Sequence, residues 1–152
     1  MSEPAELYFG DVEVGHHMTA GTYLLTREEI VDFASRYDPR PFHIDEAAAD
    51  APIFKGLTAA GAHTFAIAQA LGFQHQPALV VQAMLGIDEM RLPAPARPGD
   101  QLSFSSTLIE KRPSASRPGA GVARYHTVLR NDADTVVLEY KITVLLGGRP
   151  KA

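Results

Sequence analysis

Leu57–Phe73 reads LTAAGAHTFAIAQALGF, and this stretch decides the class of fold. Its residues are small and apolar, and His63 is the only ionisable residue among them. Such a segment favours a helix, and because it has no polar face we expect burial on most sides. Gly61 lies near its start, although glycine inside a helix costs about 1 kcal/mol relative to alanine. This glycine therefore needs a structural or functional reason.

Four stretches after this helix have the composition of β-strands. Each is β-branched or alternates apolar with polar residues, and turn-forming residues separate them; they are Val80–Leu92, Gln101–Glu110, Gly121–Arg130 and Thr135–Leu146. Before the buried helix, Thr26 caps a predicted amphipathic helix over Arg27–Arg36, which Pro39 ends. Strands that follow helices instead of alternating with them indicate an α+β fold with an antiparallel sheet.

Length and composition exclude several classes of protein. The chain has 152 residues, which argues for one domain, and its formal net charge is −4. It has no cysteine, which excludes disulfides, thiolate metal sites and cysteine nucleophiles. The acidic balance argues against nucleic acid as the main partner, and no apolar run approaches the roughly 20 residues of a membrane span. We expect a cytoplasmic protein that needs no cofactor.

Asp38–Asp45 reads DPRPFHID and carries the first candidate site. Asp38 and His43 are five positions apart in a segment that two prolines stiffen, and catalytic groups need such rigid positioning. An ionised aspartate and a histidine that titrates near about 6.5 can together hold one water and move its protons. The alternative is structural: Asp38 would cap a turn and His43 would be an ordinary loop residue.

Gly61 is the second candidate. Backbone amides at the start of a helix are unpaired, and the helix dipole favours a carbonyl oxygen that gains negative charge there. A glycine lets a substrate approach the backbone closely. The alternative is that Gly61 allows the helix to pack closely against the sheet.

Four segments, in this order, resemble a known family, the MaoC-like dehydratases, which include the (R)-specific enoyl-CoA hydratases. The segments hold the Asp/His motif, a small-residue run that ends in glycine, a strand and a Pro-Gly-Asp turn; they read DPRPFHID (38–45), FKGLTAAG (54–61), GIDEMRL (86–92) and RPGDQL (97–102). The likeness runs from about Tyr8 to Leu146, nearly the whole chain.

The resemblance implies a single hotdog domain, in which an antiparallel sheet wraps around the central helix. Its core would span about residues 8–146, with residues 147–152 as a flexible tail. It also implies a homodimer whose subunits pair sheet to sheet, and an acyl thioester substrate, usually on coenzyme A, bound near the dimer interface.

The same resemblance implies the roles of individual residues. Asp38 and His43 would activate the water that adds to the enoyl β-carbon, and the Gly61 amide would stabilise the thioester oxygen. The expected substrate-binding residues are Arg40, Phe42, Ala60, His63 and Gln69. Three of them depart from the family pattern: Arg40 replaces an asparagine, Ala60 lies where histidine is common, and Gln69 replaces a serine. His63 has a second interpretation as a satisfied core histidine.

The sequence therefore predicts reversible hydration of a 2-enoyl thioester. One alternative is a hotdog thioesterase, but those enzymes commonly use a carboxylate from the central helix, and Leu57–Phe73 contains none. The other is a catalytically inactive partner subunit that binds acyl thioesters. No metal site is expected, because neither His16–His17 nor the His43–Asp45 pair has further ligands at metal-site spacing.

Overall fold

The computed structural model describes residues 5–50 and 53–151. The elements, in chain order, are β1 (Glu6–Leu7), a 3-10 helix (Phe9–Asp11), β2 (His17–Leu24), α1 (Arg27–Tyr37), α2 (Pro41–Ile44), α3 (Glu46–Ala49), α4 (Gly61–Phe73), β3 (Ala78–Leu79), β4 (Val81–Arg91), β5 (Gln101–Pro113), β6 (Gly121–Arg130) and β7 (Val136–Leu146). Helices precede a run of strands, so the predicted α+β fold is confirmed.

The main sheet has five antiparallel strands in the order β2-β5-β6-β7-β4. Alternate residues of its central strands are buried, as period-two patterning requires when one face covers a core. Helix α4 packs against this inner face, where a Cβ added to Gly72 would contact the ring of Phe104 at 3.2 Å. β1 and β3 form a separate parallel pair.

The first long helix follows its capping signals. The Thr26 hydroxyl accepts a hydrogen bond from the Glu29 amide at 3.2 Å, which satisfies one of the unpaired donors at the start of α1. The helix ends at Tyr37, one residue later than predicted, and the Asp38 amide still donates to the Ala34 carbonyl at 2.8 Å. Asp38 is therefore fixed at the end of α1.

The central helix is shorter than its composition suggests. The sequence predicts a helix over Leu57–Phe73, but α4 begins at Gly61. The preceding residues bond to other parts of the chain: the Thr58 amide donates to the Phe42 carbonyl, and the Ala59 amide donates to the Ala96 carbonyl at 2.9 Å. These tertiary hydrogen bonds compete with the helix, and Gly61 becomes its first residue.

The other helix and strand boundaries lie closer to the predicted ones. The helical turn Pro41–Ile44 was not predicted, and β5 continues three residues beyond the predicted Glu110. Gly147 exchanges backbone hydrogen bonds with Phe9 and Val80, so the start of the predicted flexible tail is bonded to the fold. Mobility of residues 147–152 stays a prediction. Within residues 5–50 and 53–151, no helix is long and apolar enough to cross a membrane.

Candidate active site

Asp38 and His43 face each other across the turn between α1 and α2. The His43 Nε2 atom lies 3.5 Å from the Asp38 Oδ2 atom. His43 is 6% exposed, and the Asp38 side chain is 19% exposed. The structure therefore brings together the two residues that the motif predicted, in a setting that bulk water reaches only partly.

The orientation of His43 is fixed by Thr58. The His43 Nδ1 atom lies 2.7 Å from the Thr58 carbonyl oxygen. A carbonyl can only accept, so Nδ1 carries a proton and donates it. Nε2 is then the nitrogen available for chemistry, and it is the one that faces Asp38. The Phe42 ring stands edge-on to the imidazole, with 4.4 Å between ring centroids, and limits its rotation.

This pair can hold a water molecule. In neutral His43 the Nε2 atom is a hydrogen-bond acceptor, and the Asp38 carboxylate accepts as well. Two acceptors 3.5 Å apart gain nothing from direct contact, but one water can donate a hydrogen to each. The lone pairs of its oxygen then point away from both groups, toward whatever lies in front of the pair.

Arg40 contacts the other oxygen of the same carboxylate. Its guanidinium Nη1 donates to Asp38 Oδ1, while its side chain is 66% exposed. The ion pair leaves Oδ2 facing His43. Sequence analysis placed Arg40 among the substrate-binding residues; the structure places it against Asp38, and contact with a substrate stays a prediction.

Gly61 opens α4 three residues after Thr58, the residue that holds His43. As the first helical residue, Gly61 has an amide with no acceptor within the helix. A Cβ at this position would lie 3.4 Å from the Leu92 Cδ1 atom, which is an ordinary van der Waals contact. Ala60, the residue before it, is fully buried. Close packing therefore does not by itself require a glycine at position 61.

His63 points toward α1 instead. Its Nε2 atom lies 2.9 Å from the Glu29 Oε1 atom, and its ring stacks on Phe33 with 4.5 Å between centroids. Tyr23 donates to the same carboxylate oxygen, so Glu29 links β2, α1 and α4. Burial and the hydrogen bond to Glu29 raise the pKa of Tyr23 to about 12. The contacts at Nε2 suit a core histidine, but the buried Nδ1 atom has no hydrogen-bond partner among the described residues, so His63 is not fully satisfied. Substrate binding by His63 stays a prediction.

A cavity of about 300 Å³ lies between the second half of α4 and the sheet. Of the five predicted substrate-binding residues, Gln69 lines it, whereas Arg40, Phe42, Ala60 and His63 do not. Most of its wall is apolar, from Met18, Phe73, Ala78, Leu79, Val81, Met84, Phe104, Ile142 and Val144, with Gly72 and Tyr125 beside them. The remaining lining residues are polar.

Sequence analysis missed this polar part of the cavity. Ser106, Thr127 and Tyr140 are register partners on β5, β6 and β7, so they form one row across the inner face. All three are buried. The available signal was the interruption of apolar alternation in β5 and β6, where a serine and a threonine occupy inward positions. Only the strand register shows that these interruptions are adjacent.

Within residues 5–50 and 53–151, no three His, Asp or Glu side chains come close enough to hold a metal ion.

The chain is similar to proteins of known family and structure. A family model described as a MaoC like domain matches its residues 12–129. The chain is similar to a MaoC-like dehydratase from Rhodospirillum rubrum, with 33% identity, a TM-score of 0.87, and coverage of 95% of this chain and 99% of that chain. It is also similar in fold to the R-hydratase PhaJ1 from Pseudomonas aeruginosa, with 24% identity, a TM-score of 0.76, and coverage of 93% and 86%.

A third solved structure identifies this fold as a hotdog fold. A Mycobacterium tuberculosis protein with a double hotdog fold matches with a TM-score of 0.76 and 19% identity, over 97% of this chain and 46% of that chain. The five-stranded antiparallel sheet around α4 is therefore one hotdog unit, as the sequence predicted.

Proposed function

This chain belongs to the family of MaoC-like domains, and from that premise we propose that it catalyses the reversible hydration of a 2-enoyl thioester. The observation that carries the proposal is the convergence of Asp38 and His43, with Nε2 and Oδ2 3.5 Å apart, in a part of the chain bonded directly to the segment before α4. Solved relatives described as R-hydratases support the reaction class.

In the hydration direction, Asp38 is the general base. It removes a proton from the bound water as the water oxygen forms a bond to the β-carbon of the enoyl group. The π electrons of the double bond move toward the α-carbon and the thioester carbonyl, which becomes an enolate. Holding the water between two fixed acceptors supplies the orientation that an addition of this kind requires.

Gly61 stabilises the enolate. Its amide is at the N-terminus of α4, where the helix dipole favours the negative charge that develops on the thioester oxygen. Packing alone would tolerate a Cβ here, since it would meet Leu92 at an ordinary contact distance of 3.4 Å. The proposal thus gives this glycine a binding role.

His43 completes the addition. The proton that Asp38 has taken from the water passes across their 3.5 Å separation to the Nε2 atom, which accepts it through its lone pair. Nε2 then gives this proton to the α-carbon, so the substrate gains a hydroxyl at one carbon and a hydrogen at the other. Asp38 is again ionised and His43 again neutral, which is the starting state. Dehydration is the reverse sequence.

The proposed substrate is carried on coenzyme A, and the proposed assembly is a homodimer. β4 is an edge strand, and its exposed face is unusually apolar for an edge that meets water: Val81, Met84 and Leu85 are each at least half exposed. The other edge strand, β2, exposes His17, Thr19 and Thr22, and Leu24 at its end is its one exposed large hydrophobic residue among those described. Apolar edges of this kind mark association surfaces, so β4 belongs in the dimer interface.

The reaction is tested by loss of the enoyl absorbance in Asp38→Asn and His43→Ala variants. Both substitutions remove a group that exchanges protons with the reacting water, so we expect turnover to fall by roughly two to four orders of magnitude. Circular dichroism and chemical denaturation should show a folded protein. Asp32→Asn is the matched control, because Asp32 is an exposed carboxylate on α1.

Wild-type activity in either active-site variant would contradict the proposed mechanism. Release of free coenzyme A from a saturated acyl-CoA, without hydration of any enoyl-CoA, would identify a thioesterase. Binding of acyl-CoA without either reaction would identify an inactive partner subunit.

A further inference from the structure

We infer that the acyl group bound by this protein carries an oxygen atom on its distal part, such as a hydroxyl or a ketone, which the polar row Ser106, Thr127 and Tyr140 receives together with Gln69. The inference rests on the proposed function, because it takes the cavity beneath α4 as the site of the acyl chain. It concerns the chemical class of that chain.

The row is a hydrogen-bonded set inside an apolar surface. Ser106 Oγ and Thr127 Oγ1 are 2.8 Å apart, and the Tyr140 hydroxyl donates to the Gln69 Oε1 atom at 3.2 Å. Burial raises the pKa of Tyr140 to about 12, while a hydrogen bond from Thr127 opposes the rise, so the phenol stays neutral. The neighbouring inward rows are apolar, with Phe104, Leu129 and Leu138 on one side and Leu108, Tyr125 and Ile142 on the other.

This set has hydrogen-bonding capacity left over. The hydroxyl hydrogens are used within the set, because Thr127 also donates to Tyr140, but the hydroxyl oxygens keep lone pairs that can accept from a ligand. Gln69 accepts through Oε1, so its amide nitrogen still carries two donors. The three hydroxyls already have partners, but a purely aliphatic chain would cover the exposed Gln69 amide without offering it an acceptor, which costs free energy. An oxygen on the chain accepts from this amide.

Helix α4 connects this row to the proposed reaction site. Gly61 and Gln69 are eight residues apart, which places them on the same side of the helix about 12 Å apart along its axis. Gly61 faces Leu92, and Phe65, midway between them, packs its ring on Tyr140 with centroids 5.1 Å apart. An acyl chain that starts at the Gly61 amide and follows this side of the helix ends near Gln69.

The charge of the cavity restricts the oxygen to a neutral group. No Lys, Arg, His, Asp or Glu is among the residues of the described chain that line it. A carboxylate buried there would lack a compensating charge, and an ammonium group would too. A hydroxyl or a ketone needs only the hydrogen bonds that the row supplies.

The test compares matched pairs of acyl-CoA esters, with and without an ω-hydroxyl, across a range of chain lengths. Binding of the saturated pairs is measured by calorimetry, and turnover of the 2-enoyl pairs by absorbance. At the preferred length we expect the hydroxylated ester to bind about tenfold more tightly, as one well-formed neutral hydrogen bond allows. Thr127→Val, which removes the hydroxyl at nearly constant volume, should reduce this ratio toward one.

Thr107→Val is the matched control. Thr107 follows Ser106 on β5, and its hydroxyl contacts His17 on the other face of the sheet, 2.8 Å away, so the ratio should stay at its wild-type value. Equal affinity for both esters at every length, or tighter binding of the plain ester, would overturn the inference. Because calorimetry needs no turnover, a protein that binds the hydroxylated ester selectively but hydrates neither would contradict the proposed reaction and leave the inference supported.

Discussion

At the scale of single residues, Arg40 is the exposed cation that pairs with the proposed base Asp38. Its guanidinium holds Asp38 Oδ1 and leaves Oδ2 toward His43, so it acts as a positioning residue. Because Arg40 is two-thirds exposed, the ion pair contributes only about 0.2–1 kcal/mol.

Replacement of Arg40 should therefore have a modest effect on catalysis. We expect Arg40→Asn to lower kcat by about two- to fivefold with little change in KM, because the contact that the structure shows is to Asp38, the proposed base. Steady-state kinetics measure kcat and KM separately. Arg36→Asn is the control, because Arg36 is an exposed arginine on α1. A large rise in KM with unchanged kcat would instead assign Arg40 to substrate binding.

His16 makes the stability of the fold depend on pH. Burial, followed by the nearby charges of His75 and His17, lowers the pKa of His16 below its ordinary value of 6.5. The unfolded chain then takes up a proton at a higher pH than the folded chain does. The free energy of unfolding should consequently fall as the pH drops below 6.5 toward the lowered pKa of His16.

The measurement is the His16 titration midpoint by NMR, together with urea denaturation across the same pH range. His16→Gln keeps a side-chain acceptor for the Tyr125 hydroxyl, whose oxygen lies 3.3 Å from His16 Nδ1. This variant should lose less stability than the wild type on acidification. A midpoint at or above 6.5 would contradict the prediction.

At the scale of elements, the start of β6 depends on a glycine. Phe9, in the 3-10 helix, lies so close over Gly121 that an added Cβ would collide with its ring. The Phe9 carbonyl also accepts from the Lys111 ammonium group at 3.2 Å, and the same ammonium lies 4.3 Å above the centre of the Phe9 ring. The ring therefore has little freedom to move away.

Gly121→Ala should destabilise the protein by about 1–3 kcal/mol, the usual cost of overpacking a filled site. Gly21→Ala on β2 is the control, because an added Cβ there meets nothing within 4 Å. Chemical denaturation measures both. Equal stability of the two variants would mean that Phe9 moves aside without cost.

At the scale of the whole molecule, the two edges of the sheet differ in chemistry. The apolar edge at β4 is the one adjacent to the cavity, since Val81 and Met84 line it. If β4 lies in the dimer interface, a second copy of the chain also shields the cavity from water. Assembly and substrate binding would then depend on the same strand.

A charge placed on β4 should shift the protein toward monomers. Leu85 is 55% exposed, and Leu85→Asp would bury an unpaired carboxylate in the proposed interface, which is unfavourable. Analytical ultracentrifugation measures the assembly. Thr22→Asp on β2 places the same charge on the opposite edge and should leave the dimer intact. A dimer that persists in the Leu85→Asp variant, or a monomeric wild type, would contradict the assignment of β4 to a dimer interface.

The sequence by itself determined most of the elements and identified the candidate pair Asp38 and His43. Apolar alternation located β6 at Gly121–Arg130 with the bounds that the structure has. Asp38 and His43 were found because they lie five positions apart in a rigid motif. Such features are local: periodicity, caps and prolines act within a few residues of one another, so they can be identified from the order of the residues.

Only the tertiary structure decided how distant segments meet. Gly61 begins α4 because Thr58 and Ala59 bond to other segments, and the hydroxyl row exists because three strands pair in one register. The pairing of Arg40 with Asp38 and of His63 with Glu29 depends likewise on where side chains point after packing. Strand register and side-chain direction are set by the packing of the complete chain, which no local pattern specifies.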